Sequence, residues 1–189
     1  MTRRRPPHIP VRRQIYIGCE GASEVGYAAI LQDLVNAASL PIYLKIEELG
    51  PGAGDPLARI ELAVRRIDLQ HGKRISPSAS FAFLDEDQVE REPQRADHAR
   101  RLAVENGIAI IWQRPCFEAM LLRHLPDRTT HRPPDTQRAI RALEGEWTGY
   151  AKPLGRAALA KRLDLDAVLR AATVEPELAT LLRVLGLLG

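Results

Sequence analysis

Four short apolar runs alternate with four stretches of helical periodicity, and that order restricts the chain to few folds. Residues 14–19, carrying Ile15, Tyr16 and Ile17, read as a buried strand. The turn Glu20-Gly21-Ala22 leads to Ser23, a favourable N-cap, and to a helix expected over residues 25–38. In that helix Tyr27, Ile30, Leu31, Leu34 and Val35 recur at helical spacing. Ile42, Leu44 and Ile46 then alternate through residues 41–49, which predicts a second strand. Leu57, Ile60, Val64 and Ile67 mark one face of a helix over residues 56–71. A third strand, Phe81-Ala82-Phe83-Leu84, ends in Asp85-Glu86-Asp87. Pro93 and Gly107 bracket a helix over residues 94–106, residues 108–112 form another apolar strand, and a helix opened by Pro115 stops at Pro126. Such regular alternation predicts a parallel α/β sheet with right-handed crossovers. Ligands in these sheets bind beyond the carboxyl ends of the strands, the edge where Glu20, Asp85 and Asp87 fall.

The chain divides into three parts. Residues 1–13 hold Arg3, Arg4, Arg5, Arg12 and Arg13 and no acid, so a disordered basic leader able to touch a nucleic-acid backbone is expected. Residues 14–134 form the α/β core. Residues 135–189 read as helices packed on the core or on a partner, with Leu178, Leu181, Leu182 and Leu185 as an apolar stripe. At 189 residues and 45% hydrophobic composition the chain can build one compact core. A net charge of +3 permits a polyanionic partner without demanding one. Cys19 and Cys116 cannot build a disulfide framework, and no Cys/His spacing suggests zinc. No run approaches a membrane span, and too few apolar residues precede Cys19 to form the core of a signal peptide, with acidic Glu20 directly after it, so a cytoplasmic protein is expected.

Hard divalent ions such as Mg2+ need carboxylate oxygens held rigidly within reach of a phosphate. Asp85 and Asp87 follow one strand and Glu20 another, so the three converge if those strands are neighbours. Their mutual repulsion would then call for a cation. Against this stands the ordinary use of Asp and Glu as helix caps or solvated loop residues.

Residues 15–24, Ile-Tyr-Ile-Gly-Cys-Glu-Gly-Ala-Ser-Glu, with Tyr27 following, resemble the opening of the RloB-like family. Phe83-Leu84-Asp85-Glu86-Asp87 is similar to its Asp-x-Asp strand end, and residues 115–124, Pro-Cys-Phe-Glu-Ala-Met-Leu-Leu-Arg-His, to its Pro-Cys-Phe-Glu helix. Tyr150-Ala151-Lys152 matches its short Tyr-x-Lys element. The resemblance runs in order over residues 14–152, and departs at Ala119, where the family carries an aromatic, and at Arg114 before the proline. It implies a Toprim-like fold and a nuclease dependent on Mg2+ or Mn2+, acting in bacterial defence against phage. A separately encoded ABC-type ATPase would be its partner. It further implies that Glu20 is the acid/base carboxylate near the scissile phosphate and that Asp85 and Asp87 hold metal. Room remains for a homodimer, and for a catalytically silent metal-binding or nucleic-acid-binding regulatory subunit. A phospho-receiver fits less well, because its acid pair follows the first strand.

Secondary candidates are weaker. Glu118 lies on or beside the apolar face of its helix, where it needs a metal, helix amides or a basic residue as partner. His124, at that helix's end, suits an imidazolium facing the helix dipole. Lys152 can reach a phosphate, though a solvent-facing lysine is the simpler reading. Arg91 and Arg95, with Arg100 and Arg101, can guide a polyanion or merely solvate a helix.

Overall fold

The protein was analysed as a computed structural model, which describes residues 12–50, 55–71, 76–87, 89 and 92–189. Its sheet contains β1 (Arg13–Cys19), β2 (Ile42–Glu48), β3 (Ala79–Asp85) and β4 (Ile108–Gln113). The strands are all parallel and lie in the order β2-β1-β3-β4. Helix α1 (Ala22–Ala37) joins β1 to β2, α2 (Pro56–His71) joins β2 to β3, and α3 (Pro93–Glu105) joins β3 to β4. The parallel α/β expectation is met. Because β2 lies on one side of β1 and β3 on the other, chain progression reverses between β1 and β3. In an open parallel sheet that reversal leaves a crevice at the carboxyl ends of the two strands.

Side chains alternate across the sheet with period two, and each face has its own core. Ile15, Ile17, Phe81, Phe83 and Ile111 point toward α1, while Tyr16, Ala82, Leu84 and Trp112 point toward α2 and α3. Helices α4 (Phe117–His124), α5 (Thr136–Glu146), α6 (Arg156–Leu159), α7 (Leu165–Ala172) and α8 (Pro176–Leu185) share the core on the α1 face. Leu178, Leu181, Leu182 and Leu185 are fully buried there, so the stripe packs on the body of this chain. Burying each leucine contributes about 1.5–3 kcal/mol. Asp135 and Asp164 cap α5 and α7, accepting hydrogen bonds from the Arg138 and Ala167 amides at 2.8 Å each. Gly186, at φ 72°, ends α8 in the left-handed conformation.

Three local expectations need correction. Helix α1 starts at Ala22 with Gly21 as its N-cap, because the Ser23 hydroxyl is used elsewhere: it accepts from the Leu154 amide at 3.0 Å. Helix α4 starts at Phe117, beyond Pro115. The strand begins at Arg13, inside the segment expected to be a leader, and the Arg13 guanidinium donates to the Val184 carbonyl. The rest of that segment, apart from Arg12, lies outside the described residues.

A candidate metal centre at the strand crossover

Strands β1 and β3 pair directly, so Glu20 and Asp85 emerge side by side at the crevice. The Asp85 amide donates to Glu20 Oε2 at 2.8 Å. The other oxygen, Glu20 Oε1, pairs with Arg59 Nη2 at 3.0 Å. Arg59 is buried on α2 and also donates from Nη1 to the carbonyls of Glu20 (2.8 Å) and Gly50 (3.2 Å). Asp85 Oδ1 accepts from the Phe117 amide at 2.9 Å, in the first turn of α4. Asp87 turns aside, and its Oδ2 accepts from Thr136 Oγ1 at 2.9 Å. It lines a neighbouring groove of about 690 Å³ with Glu86, Pro115 and Asp135. The structure therefore brings Glu20 and Asp85 together and places Asp87 at the margin. As they stand, no three His, Cys, Asp or Glu side chains among the described residues are grouped so as to hold an ion.

The cleft over Glu20 and Asp85 has a volume of about 410 Å³, and Glu24, Arg59, Phe117 and Lys152 also line it. Glu24 is buried in the first turn of α1 and has no ion pair among the described residues. Burial, with the charges of Glu20 and Glu118 nearby, pushes its carboxyl from 4.5 up to about 7. Asp85 is pushed well up by burial and by the surrounding charges of Glu20, Glu24, Asp87 and Glu118. Burial raises Glu20 as well, with the Asp85 amide and Arg59 acting against it. In all three burial is the largest cause, and neighbouring carboxylates add to it.

Glu118 is different. It is completely buried on α4, yet its Oε1 forms an ion pair with Lys152 and accepts from the Tyr150 hydroxyl at 2.7 Å. Burial pushes its carboxyl up, but Lys152 and Tyr150 outweigh burial and leave it below its ordinary value. The partner that an acid on this face requires is thus a lysine from a loop 34 residues on in sequence. Lys152 is exposed, as a solvent-facing lysine would be, but it also pairs with Glu118 and lines the mouth of the cleft. Two contacts dock its loop on α1. One is the Ser23–Leu154 hydrogen bond. The other is the close approach at Gly26, where an added Cβ would lie 2.6 Å from the Leu154 carbonyl oxygen.

His124 also departs from expectation. It is fully buried, with Nδ1 2.9 Å from the Met120 carbonyl and Nε2 2.9 Å from the Tyr27 hydroxyl. A carbonyl can only accept, so Nδ1 carries the proton and Nε2 accepts from Tyr27. Burial lowers its pKa from 6.5 to about 4, which makes it a neutral core residue rather than an imidazolium facing a helix dipole. Arg95 forms ion pairs with Asp55 and Glu92 and does not line the cleft. Arg91 lies outside the described residues. The Cys116 thiol is pushed up to about 12, by burial first and then by Glu118, and Cys19 is likewise raised by burial, so neither is an activated nucleophile.

Sequence reasoning missed Arg59 and Glu24 as parts of this site. Glu24 had a legible signal: it stands three residues before Tyr27 and seven before Leu31, on the apolar stripe of its own helix. Arg59 had only its place between Leu57 and Ile60. Compared with family models, curated proteins and solved structures, the chain matches none.

Proposed function

We propose that this protein is a metal-dependent nuclease of the Toprim type, hydrolysing phosphodiester bonds in DNA or RNA with Mg2+ or Mn2+. The observation that carries the reading is the meeting of Glu20 and Asp85 at the sheet's crossover, in a cleft that the buried Glu24 also lines. Oxygen-only donors held on rigid strand ends suit a hard divalent ion. Glu20 and Asp85 would hold it, with Asp87 next along the loop. When bound, the ion would stabilise negative charge developing on a phosphodiester oxygen. Arg59 fixes the Glu20 carboxylate, and the Phe117 amide fixes Asp85. With both oxygens engaged, Glu20 is a poorer proton carrier than the resemblance implies. Glu24, which exchanges its proton near pH 7, is better suited to take one from an attacking water. The order of motifs over residues 14–152 supports a place in anti-phage defence beside an ABC-type ATPase.

The purified full chain with Mg2+ or Mn2+ is expected to cut nucleic acid, and Glu20→Gln or Asp85→Asn to abolish cutting. If both variants cut as fast as the parent, the assignment is wrong. A second reading, a catalytically silent regulatory subunit, draws on the engaged state of Glu20 and the turned-away Asp87. Adding the ATPase separates the two: cleavage that emerges only in the mixture marks a latent nuclease, and continued silence marks the regulatory subunit.

A further inference from the structure

An open sheet has two edges, and an unguarded edge is a template for another strand. Here the edges are β2 and β4, and only one is guarded. Arg13 N–H bonds the Pro41 carbonyl and Leu49 N–H the Cys19 carbonyl, so the odd-numbered residues of β2 face β1. Ile42, Leu44, Ile46 and Glu48 therefore turn their backbone groups outward. Gln32 of α1 covers two of them as a neighbouring strand would. Its side-chain amide accepts from the Leu44 amide at 2.6 Å and donates to the Ile42 carbonyl at 3.5 Å. Arg66 of α2 donates to the Glu48 carbonyl at 2.8 Å. The strand also carries Lys45, Glu47 and Glu48, charges that discourage pairing.

On the other edge, the Glu86 amide donates to the Gln113 carbonyl at 3.0 Å, so the odd-numbered residues of β4 face β3. The outward N–H and C=O groups of Ile108, Ile110 and Trp112 have no hydrogen-bond partner among the described residues. Nothing in β4, Ile-Ala-Ile-Ile-Trp-Gln, is charged. Ala109 is exposed, and Val104 beside it on α3 is 79% exposed. Val104 projects from α3 on the side away from Leu102, which packs in the core shared with α2. It shares that side with Arg100, whose guanidinium lies over the Trp112 ring, so Val104 flanks the open edge.

We infer that β4 is the docking edge for a second copy of this chain, paired antiparallel about a two-fold axis at Ile110, so that two sheets become one. That register sets Ile110 against its own copy and Ile108 against Trp112, and every outward N–H then meets an outward C=O. The flanking charges fix the direction. Glu105, exposed and without an ion pair among the described residues, stands before β4, and Arg114, which also pairs with Glu86 and Glu177, stands after it. Antiparallel self-pairing brings Glu105 of each copy toward Arg114 of the other, whereas parallel pairing would set like charges together. The axis stands perpendicular to the sheet, so Val104 from both copies comes to the same face of the joined sheet.

The test is the mass of the full chain in solution, by size-exclusion chromatography with light scattering. The parent is expected to run as two chains. Ile110→Pro removes one outward N–H without touching the ladder to β3, and is expected to run as one chain with its circular dichroism unchanged. Ile46→Pro makes the same change on β2 and is expected to stay paired. A single-chain parent, a folded Ile110→Pro that stays paired, or a folded Ile46→Pro that comes apart overturns the inference. A second variant decides the matter if Ile110→Pro does not fold. Residues facing each other in such a pair lie about 5.5 Å apart, within reach of a disulfide. Ile110→Cys, in a chain whose own cysteines are buried, is expected to form a covalent dimer on oxidation. A variant that stays uncrosslinked overturns the inference as well.

Discussion

Two buried polar clusters among the described residues are built on opposite plans. At the base of α4, Arg123 is fully buried and pairs with the buried Glu175, and it also donates to the Arg114 carbonyl at 3.1 Å. The next residue, His124, is neutral and bonded on both nitrogens. Every charge there has its opposite. At the carboxyl edge of the sheet Glu24 and Asp85 have no ion-pair partner among the described residues. Removing charges from water costs several kcal/mol each, repaid only when an opposite charge and hydrogen bonds are well placed. The first cluster meets that condition within the chain and acts as scaffold. The second does not, and its excess of one sign is what makes it a candidate binding centre.

The largest test of this contrast is Arg123→Met, which strands Glu175 without its partner. It is expected to destabilise the fold by about 3–5 kcal/mol, measured by urea unfolding. If stability is unchanged, the pair is not the structural half of the comparison.

The pH dependence separates the clusters by sign. Glu24 titrates at about 7 in the folded chain against 4.5 unfolded, so between those values the unfolded state releases the proton first. Stability contributed by the cleft is therefore lost as pH rises from 4.5 to about 7. His124 behaves in the reverse sense: folded it stays neutral down to about 4, whereas unfolded it charges near 6.5. Its contribution is lost as pH falls through that window. Glu24→Gln is expected to be about 1–3 kcal/mol more stable than the parent at pH 8 and nearly equal to it at pH 4. An equal difference at both values would show that its carboxyl is not held up by its surroundings.

The smallest effect is expected from Asp85→Asn, whose side-chain carbonyl can still accept from the Phe117 amide. Removing one surplus charge should raise the stability of the metal-free protein by about 1 kcal/mol and abolish any stabilisation by Mn2+ in a thermal melt. A variant that Mn2+ stabilises as much as the parent would place the ion elsewhere.

How much of this could be read from the sequence follows from the range of the interactions involved. Strands and helices follow from local periodicity, and residues 56–71 were bounded correctly because their apolar face and flanking breakers are local signals. The adjacency of Glu20 and Asp85 was legible only as a condition on strand order, which the sheet meets. Partnerships across the chain were not legible. Ser23 looks like an N-cap because its neighbours suit one, yet its hydroxyl serves Leu154. His124 looks like a helix-end cation, yet α5 and α7 pack on α4 and it is fully buried. Lys152 looks solvated because nothing near it in sequence is acidic, and Glu118 supplies the acid from a distance.

The contact between Ser23 and Leu154 spans 131 positions. A chain that had folded only through its four strands would already hold the acids together, but without the lysine that answers Glu118. The centre is thus complete only once the loop carrying Lys152 has docked on α1. A chain cut short before this loop would leave Glu118 without its lysine.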